Sequence, residues 1–215
     1  MDSNKREVRT MTGGRWQPRL REKEEGEKES RTIEGYAIVF GVESVILADY
    51  WDNYREIIEP GAITQERVQG MDIKMTMYHN REKLLARSNR GEGTLKLRVD
   101  EVGVHYEFEA PNTEDGNTAL ELVKRGDLSG SSFMYWSDEA SGVSYEKTQD
   151  GLLLRRVKNI GEIYDMTIAA DPAYTETTAL AREAMDKFLK PEKKEVSSMR
   201  YTRERRNREL ELNQF

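Results

Sequence analysis

The chain contains no cysteine and only two histidines, His79 and His105, among its 215 residues. Without cysteine there is no disulfide framework and no thiolate metal site, and the composition fits a reducing compartment. Two histidines with no His-x-x-x-His or similar spacing disfavour a metal hydrolase, although carboxylates could complete such a site. No cofactor motif is present. No apolar run approaches the roughly 20 residues that a bilayer span requires. The first residues, Met1-Asp2-Ser3-Asn4-Lys5-Arg6, lack the apolar stretch of a signal peptide. The expectation is a soluble intracellular protein with no membrane partner.

Charged residues make up 34% of the chain and hydrophobic ones 36%, but they are unevenly shared. Residues 1–30 carry eight Lys/Arg and seven Asp/Glu. Such a segment buries too little apolar surface to offset its ordering entropy, which predicts a flexible charged N-terminal arm anchored at most by Trp16. Residues 187–215 form a charged C-terminal tail of net charge +4, and the body between, 31–186, holds 28 acidic against 17 basic residues. An acidic body disfavours specific nucleic-acid binding, while the basic tail can attract the body or another partner.

Within the body, short β-branched and aromatic runs dominate. Residues 32–41, 72–78, 94–99, 102–110, 143–147, 152–157 and 160–170 read as strands, with 94–110 as a hairpin around Asp100-Glu101. Residues 80–83 read as a polar loop. Short helices are expected near 62–68 and over 117–125, the latter ending in Lys124, Arg125 and a Gly126 cap. Beyond the break at Asp171-Pro172-Ala173, residues 175–189 read as a helix and 196–212 as a second, highly charged one. The fold class is therefore mainly β with peripheral helices (α+β), a barrel or sandwich of largely antiparallel strands.

The stretch that calls for a chemical explanation is Gly126-Asp127-Leu128-Ser129-Gly130-Ser131-Ser132-Phe133-Met134-Tyr135-Trp136, where three serines lead into an apolar strand. A serine needs a base to take its proton and a third group to orient that base. Histidine suits the first task because its ordinary pKa is near 6.5. His79 stands where an apolar strand meets a polar segment, a usual place for site residues, whereas His105 alternates with Val104 and Tyr106 and is expected to face solvent. Alternation along 160–170 places Asp165 among buried positions, where a carboxylate needs a partner. Plainer readings stand beside these. Ser129 and Gly130 can be a cap and turn, His79 a hydrogen-bonded strand-end residue, and Asp165 an ion-pair partner of Arg155 or Arg156. The serine stretch is not a hydrolase nucleophile elbow, since Met134 occupies the place of the second glycine.

Five stretches in order resemble the prohead proteases of tailed bacteriophages: Ile33-Glu34-Gly35-Tyr36-Ala37-Ile38-Val39-Phe40, Glu59-Pro60-Gly61-Ala62-Ile63, Met77-Tyr78-His79-Asn80-Arg81, the serine stretch, and Asp165-Met166-Thr167-Ile168-Ala169-Ala170-Asp171-Pro172-Ala173-Tyr174. The resemblance implies a serine endopeptidase related to the herpesvirus assemblins, with a closed or partly closed β-barrel and, often, a homodimer. It implies His79 as base, Ser132 as nucleophile and Asp165 as orienting acid, with Ser131 and Glu162 in reserve. Met134 replaces a family glycine, Asn80 a frequent Asp, and Asp165 the usual Glu. By analogy with the assemblins, Arg155-Arg156 is one region that could serve the oxyanion. The implied partners are the major capsid protein and its scaffold or delta domain, inside procapsids in the host cytoplasm, and both charged ends are implied sites of self-cleavage. The alternative is a non-catalytic head-assembly or scaffolding protein on the same fold.

Overall fold

The computed structural model of the chain describes residues 7–12, 17–22, 30–44, 46–48 and 53–170. In chain order these form β1 (Glu7–Thr12), β2 (Arg19–Leu20), β3 (Thr32–Val39), β4 (Leu47–Ala48), β5 (Asn53–Ile58), α1 (Gln65–Gly70), β6 (Asp72–Met77), β7 (Asn80–Asn89), β8 (Glu92–Gly93), β9 (Leu95–Val99) and β10 (Gly103–Glu109). They continue with α2 (Glu114–Arg125), β11 (Gly130–Trp136), β12 (Val143–Lys147), β13 (Leu153–Val157) and β14 (Glu162–Ala169). The expected mainly β class with few helices is what the chain adopts.

The strands make three sheets: β1-β11-β14-β6-β7-β8, β2-β3-β10-β9 and β12-β13-β5-β4. None closes on itself among the described residues. The main core runs between them, with Phe133 and Tyr135 from the first sheet, Ile33, Tyr106 and Phe108 from the second, and Ile58 and Val157 from the third, and Tyr54 and Leu153 of the third sheet form a small second cluster. Period-two alternation explains the second sheet. Val104, Tyr106 and Phe108 are buried, while His105 lies on the outer face, edge-on to Tyr36 at 5.0 Å between ring centroids.

Helix α2 is bounded as its sequence dictates. Thr113 Oγ1 accepts from the Gly116 N–H at its start, and Gly126, with φ of 80°, provides the left-handed cap at its end. Leu128 is then buried, and the chain enters β11 between β1 and β14.

Two expectations change. Residues 80–83, read as a polar loop, begin strand β7, because Tyr78-His79 forms a two-residue hairpin turn with Met77 opposite Asn80. Asn80, Arg81 and Glu82 are polar because they are exposed, and the strand there depends on backbone pairing rather than on a buried face. Residues 7–12, read as part of a flexible arm, form the edge strand β1, paired antiparallel with β11. Glu7 and Arg9 are 2% and 7% exposed, so their charges are met by counter-charges inside the protein. A composition argument counts apolar burial and misses stabilisation by a ladder and ion pairs. Trp16 and the 175–189 and 196–212 helices lie outside the described residues.

Candidate active site

Ser132 lies in the middle of β11, its neighbours on the ladder being Thr10 of β1 and Thr167 of β14. Alternation sends Ser131, Phe133 and Tyr135 to the core side, where Ser131 Oγ lies 2.9 Å from the Tyr106 hydroxyl. Ser132 faces the other way, together with Met134. Its residue is 0% exposed.

His79 reaches this face from the β6–β7 turn. Tyr78 and His79 have φ of 56° and 55°. Positive φ at both central residues is the geometry of a type I′ hairpin, normally supplied by Asn or Gly. Bulky side chains there cost on the order of 1–3 kcal/mol each and persist only when the surroundings hold them. Here the Tyr78 N–H donates to the Ile168 carbonyl at 3.3 Å, and the His79 N–H donates to Thr167 Oγ1 at 3.0 Å. Thr167 Oγ1 in turn donates to the Thr76 carbonyl at 2.9 Å. Since β14 pairs in parallel with β6, this buried threonine ties the turn to the strand beside Ser132.

Asp165 stands two residues before Thr167 on the same strand and is 1% exposed. Its Oδ1 lies 2.5 Å from His79 Nδ1, and His79 Nε2 lies 2.7 Å from Ser132 Oγ. The three side chains therefore form one hydrogen-bonded line. Its outer end is partly open, the His79 side chain being 15% exposed. Ser132 Oγ also donates to the Arg9 carbonyl of β1 at 2.7 Å.

The other sequence candidates are not brought to this line. Ser131 bonds Tyr106 on the opposite face, and Glu162 is exposed at the start of β14, opposite Trp136. Arg155 does not pair with Asp165. It is 0% exposed and held by Glu7, Glu56 and Glu139, with its Nη1 donating to the Tyr135 hydroxyl at 2.8 Å. Arg156 pairs with Glu59 and Glu146. Both lie on β13, whose two edges are occupied by β12 and β5, so the Arg155-Arg156 region has neither free side chains nor a free edge to offer an oxyanion. Met134 has no positive φ, so the strand imposes no glycine conformation there.

The residue that sequence reasoning passed over is Thr167. The signal was present, since alternation put it on the face of Asp165. Arg9 and Glu56 were missed for lack of any signal; their pairing spans 47 positions and unites two sheets.

A serine hydroxyl, an imidazole and a buried carboxylate in hydrogen-bonded line are the groups with which serine hydrolases work. The family model for the caudovirus prohead serine protease matches residues 18–191. The chain belongs to that family. Comparison with curated proteins and with solved structures found no match.

Proposed function

We propose that the chain is a serine endopeptidase of phage capsid maturation in which Ser132, His79 and Asp165 are the catalytic residues. The observation that carries this reading is the continuous line from Asp165 Oδ1 through His79 to Ser132 Oγ, at 2.5 and 2.7 Å. Family membership supports the reaction class.

The chemistry follows from the groups. His79 Nε2 takes the Ser132 proton as Oγ bonds to the carbonyl carbon of a peptide. The imidazolium so formed is stabilised by Asp165, which holds Nδ1–H toward itself and so keeps Nε2 free to act as base. The same proton passes to the leaving amine as the C–N bond breaks. A water molecule then gives its proton to His79 and its oxygen to the acyl carbon, releasing the acid and restoring Ser132.

The proposed substrates are the scaffold or delta segments of the major capsid protein and this chain itself, cut inside procapsids in the host cytoplasm. A homodimer is part of the same proposal. The test is labelling by a fluorophosphonate probe together with co-expression with the capsid protein. Wild type is expected to be labelled at Ser132 and to process the capsid protein; Ser132→Ala, folded, does neither. Processing by Ser132→Ala at the wild-type rate would refute the assignment. Absence of processing by folded wild type, with no labelling even of a folded variant in which β1 is loosened, would favour the non-catalytic assembly role.

A further inference from the structure

Strand β1 precedes the stretch that matches the family, yet it pairs along the edge of the strand bearing Ser132. Its Arg9 side chain enters a pocket on the core side. Nε and Nη2 fork onto Glu56 Oε1 and Oε2 at 2.7 and 2.8 Å, with the guanidinium carbon 5.7 Å from the centre of the Tyr135 ring and the Tyr54 hydroxyl at 3.5 Å. A planar fork on a carboxylate beside an aromatic face selects arginine over lysine. Two residues earlier, on the same face, Glu7 Oε1 meets Arg155 Nη2 at 2.8 Å. Main-chain pairing to a sheet edge, with alternate side chains in pockets, is how extended peptides bind by strand addition.

The main chain of β1 also engages the nucleophile. The carbonyl that accepts from Ser132 Oγ belongs to Arg9 itself, and Ser132 is wholly buried with β1 in place. The hydroxyl has one proton and two neighbours at 2.7 Å. When that proton goes to the Arg9 carbonyl, a hydrogen bond between Ser132 and His79 requires Nε2 to be the donor, and an Nε2 carrying hydrogen is no base. The seated strand thus competes for the proton on which catalysis depends.

We infer that the β11 edge is a binding site for an extended peptide with an arginine pocket formed by Glu56, Tyr54 and Tyr135, and that β1 is the chain's own occupant, holding Ser132 closed until displaced. The inference rests on Ser132 being the nucleophile for its second half only. With β1 withdrawn, taking both Glu7 and Arg9, Glu56 and Glu139 outnumber Arg155 by one negative charge, which favours a cationic side chain in the place of Arg9. The peptides that fit carry Glu-x-Arg, and the bond presented to Ser132 is the one on the carboxyl side of the arginine.

The test uses the full chain with Arg9→Ala to loosen β1 and a fluorescein-tagged peptide of residues 6–12. Fluorescence anisotropy should show that Arg9→Ala binds this peptide at least about tenfold more tightly than the same peptide with alanine at position 9, one decade being a modest share of a buried charge pair. The variant should be labelled by fluorophosphonate at least about tenfold faster than wild type, and the arginine peptide should reverse the gain. Equal affinity for the two peptides, or unchanged labelling, overturns the inference. Arginine-dependent binding without labelling of any folded variant leaves the strand site standing and sinks the nucleophile instead. Should Arg9→Ala not fold, amide exchange in wild type decides. Amides of β1 should exchange at least about tenfold faster than those of β14, and equal protection would make β1 a fixed strand.

Discussion

A threonine hydroxyl governs where His79 sits. Thr167 Oγ1 accepts the His79 N–H and donates to the Thr76 carbonyl, and the residue is 0% exposed. Replacing it by isosteric valine removes the acceptor of the part-buried His79 N–H and a donor to the Thr76 carbonyl, and a polar group left unsatisfied costs about 1–3 kcal/mol. Thr167→Val is expected to lower kcat through a misplaced imidazole with KM little changed, and Thr167→Ser to restore it. A stability loss with an unaltered kcat would make Thr167 merely structural. Asp165→Asn should be more severe for activity, about 10⁴-fold in kcat, because an amide no longer holds the imidazole tautomer that leaves Nε2 free; stopped assays on the folded variant would show it. The three side chains that the structure brings into line, Ser132, His79 and Asp165, were singled out mainly by the resemblance of ordered stretches, and strand alternation added only that Asp165 is buried. The partner of Asp165 was not legible, since alternation says that a carboxylate is buried but not which cation or imidazole meets it. Arg155 was the rival on that count, and its three carboxylate partners on other segments remove it.

The β6–β7 hairpin is the element that turns this residue set into a site, and it does so with an unfavourable turn. Tyr78 is half exposed, at φ of 56°, and makes its turn contact through its backbone N–H. Asparagine tolerates that conformation better than tyrosine. Tyr78→Asn should therefore stabilise the protein by about 1 kcal/mol, raising Tm by about 2–4 °C for a chain of this size, as a calorimetric scan would measure. An unchanged or lower Tm would mean that the ring contributes more than the backbone strain costs. The Tyr-His pair carries no Gly or Asn turn signal, which is why β7 was not legible as the partner of β6. By contrast α2 and β11 were legible. The Gly126 cap and the apolar run after Ser132 are local properties, although the helix begins at Glu114 under a Thr113 cap, three residues before the expected start, whereas a type I′ turn made of bulky residues is imposed by Thr167 and Ile168 from a distant strand.

Across the whole molecule, a buried charge cluster joins the first and third sheets, and its composition predicts how the fold responds to pH. Arg9 and Arg155 face Glu7, Glu56 and Glu139, so the carboxylates exceed the guanidiniums by one. Burial pushes Glu7 above the ordinary glutamate value of 4.5, and Arg155 and Arg9 only partly oppose it. Burial acts on Glu56 in the same sense, but both arginines contact it and hold it below 4.5. The signs are therefore opposite. The contribution of Glu56 is fully present above pH 4.5 and is lost as pH falls through its lowered pKa. That of Glu7 is fully present below 4.5 and declines as pH rises through its raised pKa. The exposed-side carboxylates Glu34, Asp100 and Glu107, each held low by hydrogen bonds or neighbouring cations, add to the Glu56 trend. Stability should thus fall on acidification below 4.5. At pH 7, Glu56→Gln should cost about 3–5 kcal/mol, since it strips two buried guanidiniums of their shared anion. Glu7→Gln should cost less, because burial raises the Glu7 pKa and so makes its charged form less favourable in the folded protein than in the unfolded chain, despite Arg155 and Arg9. Urea unfolding of both variants at pH 7 and pH 4 measures the difference, and equal costs at pH 7 would show that the surplus charge does not reside on Glu7.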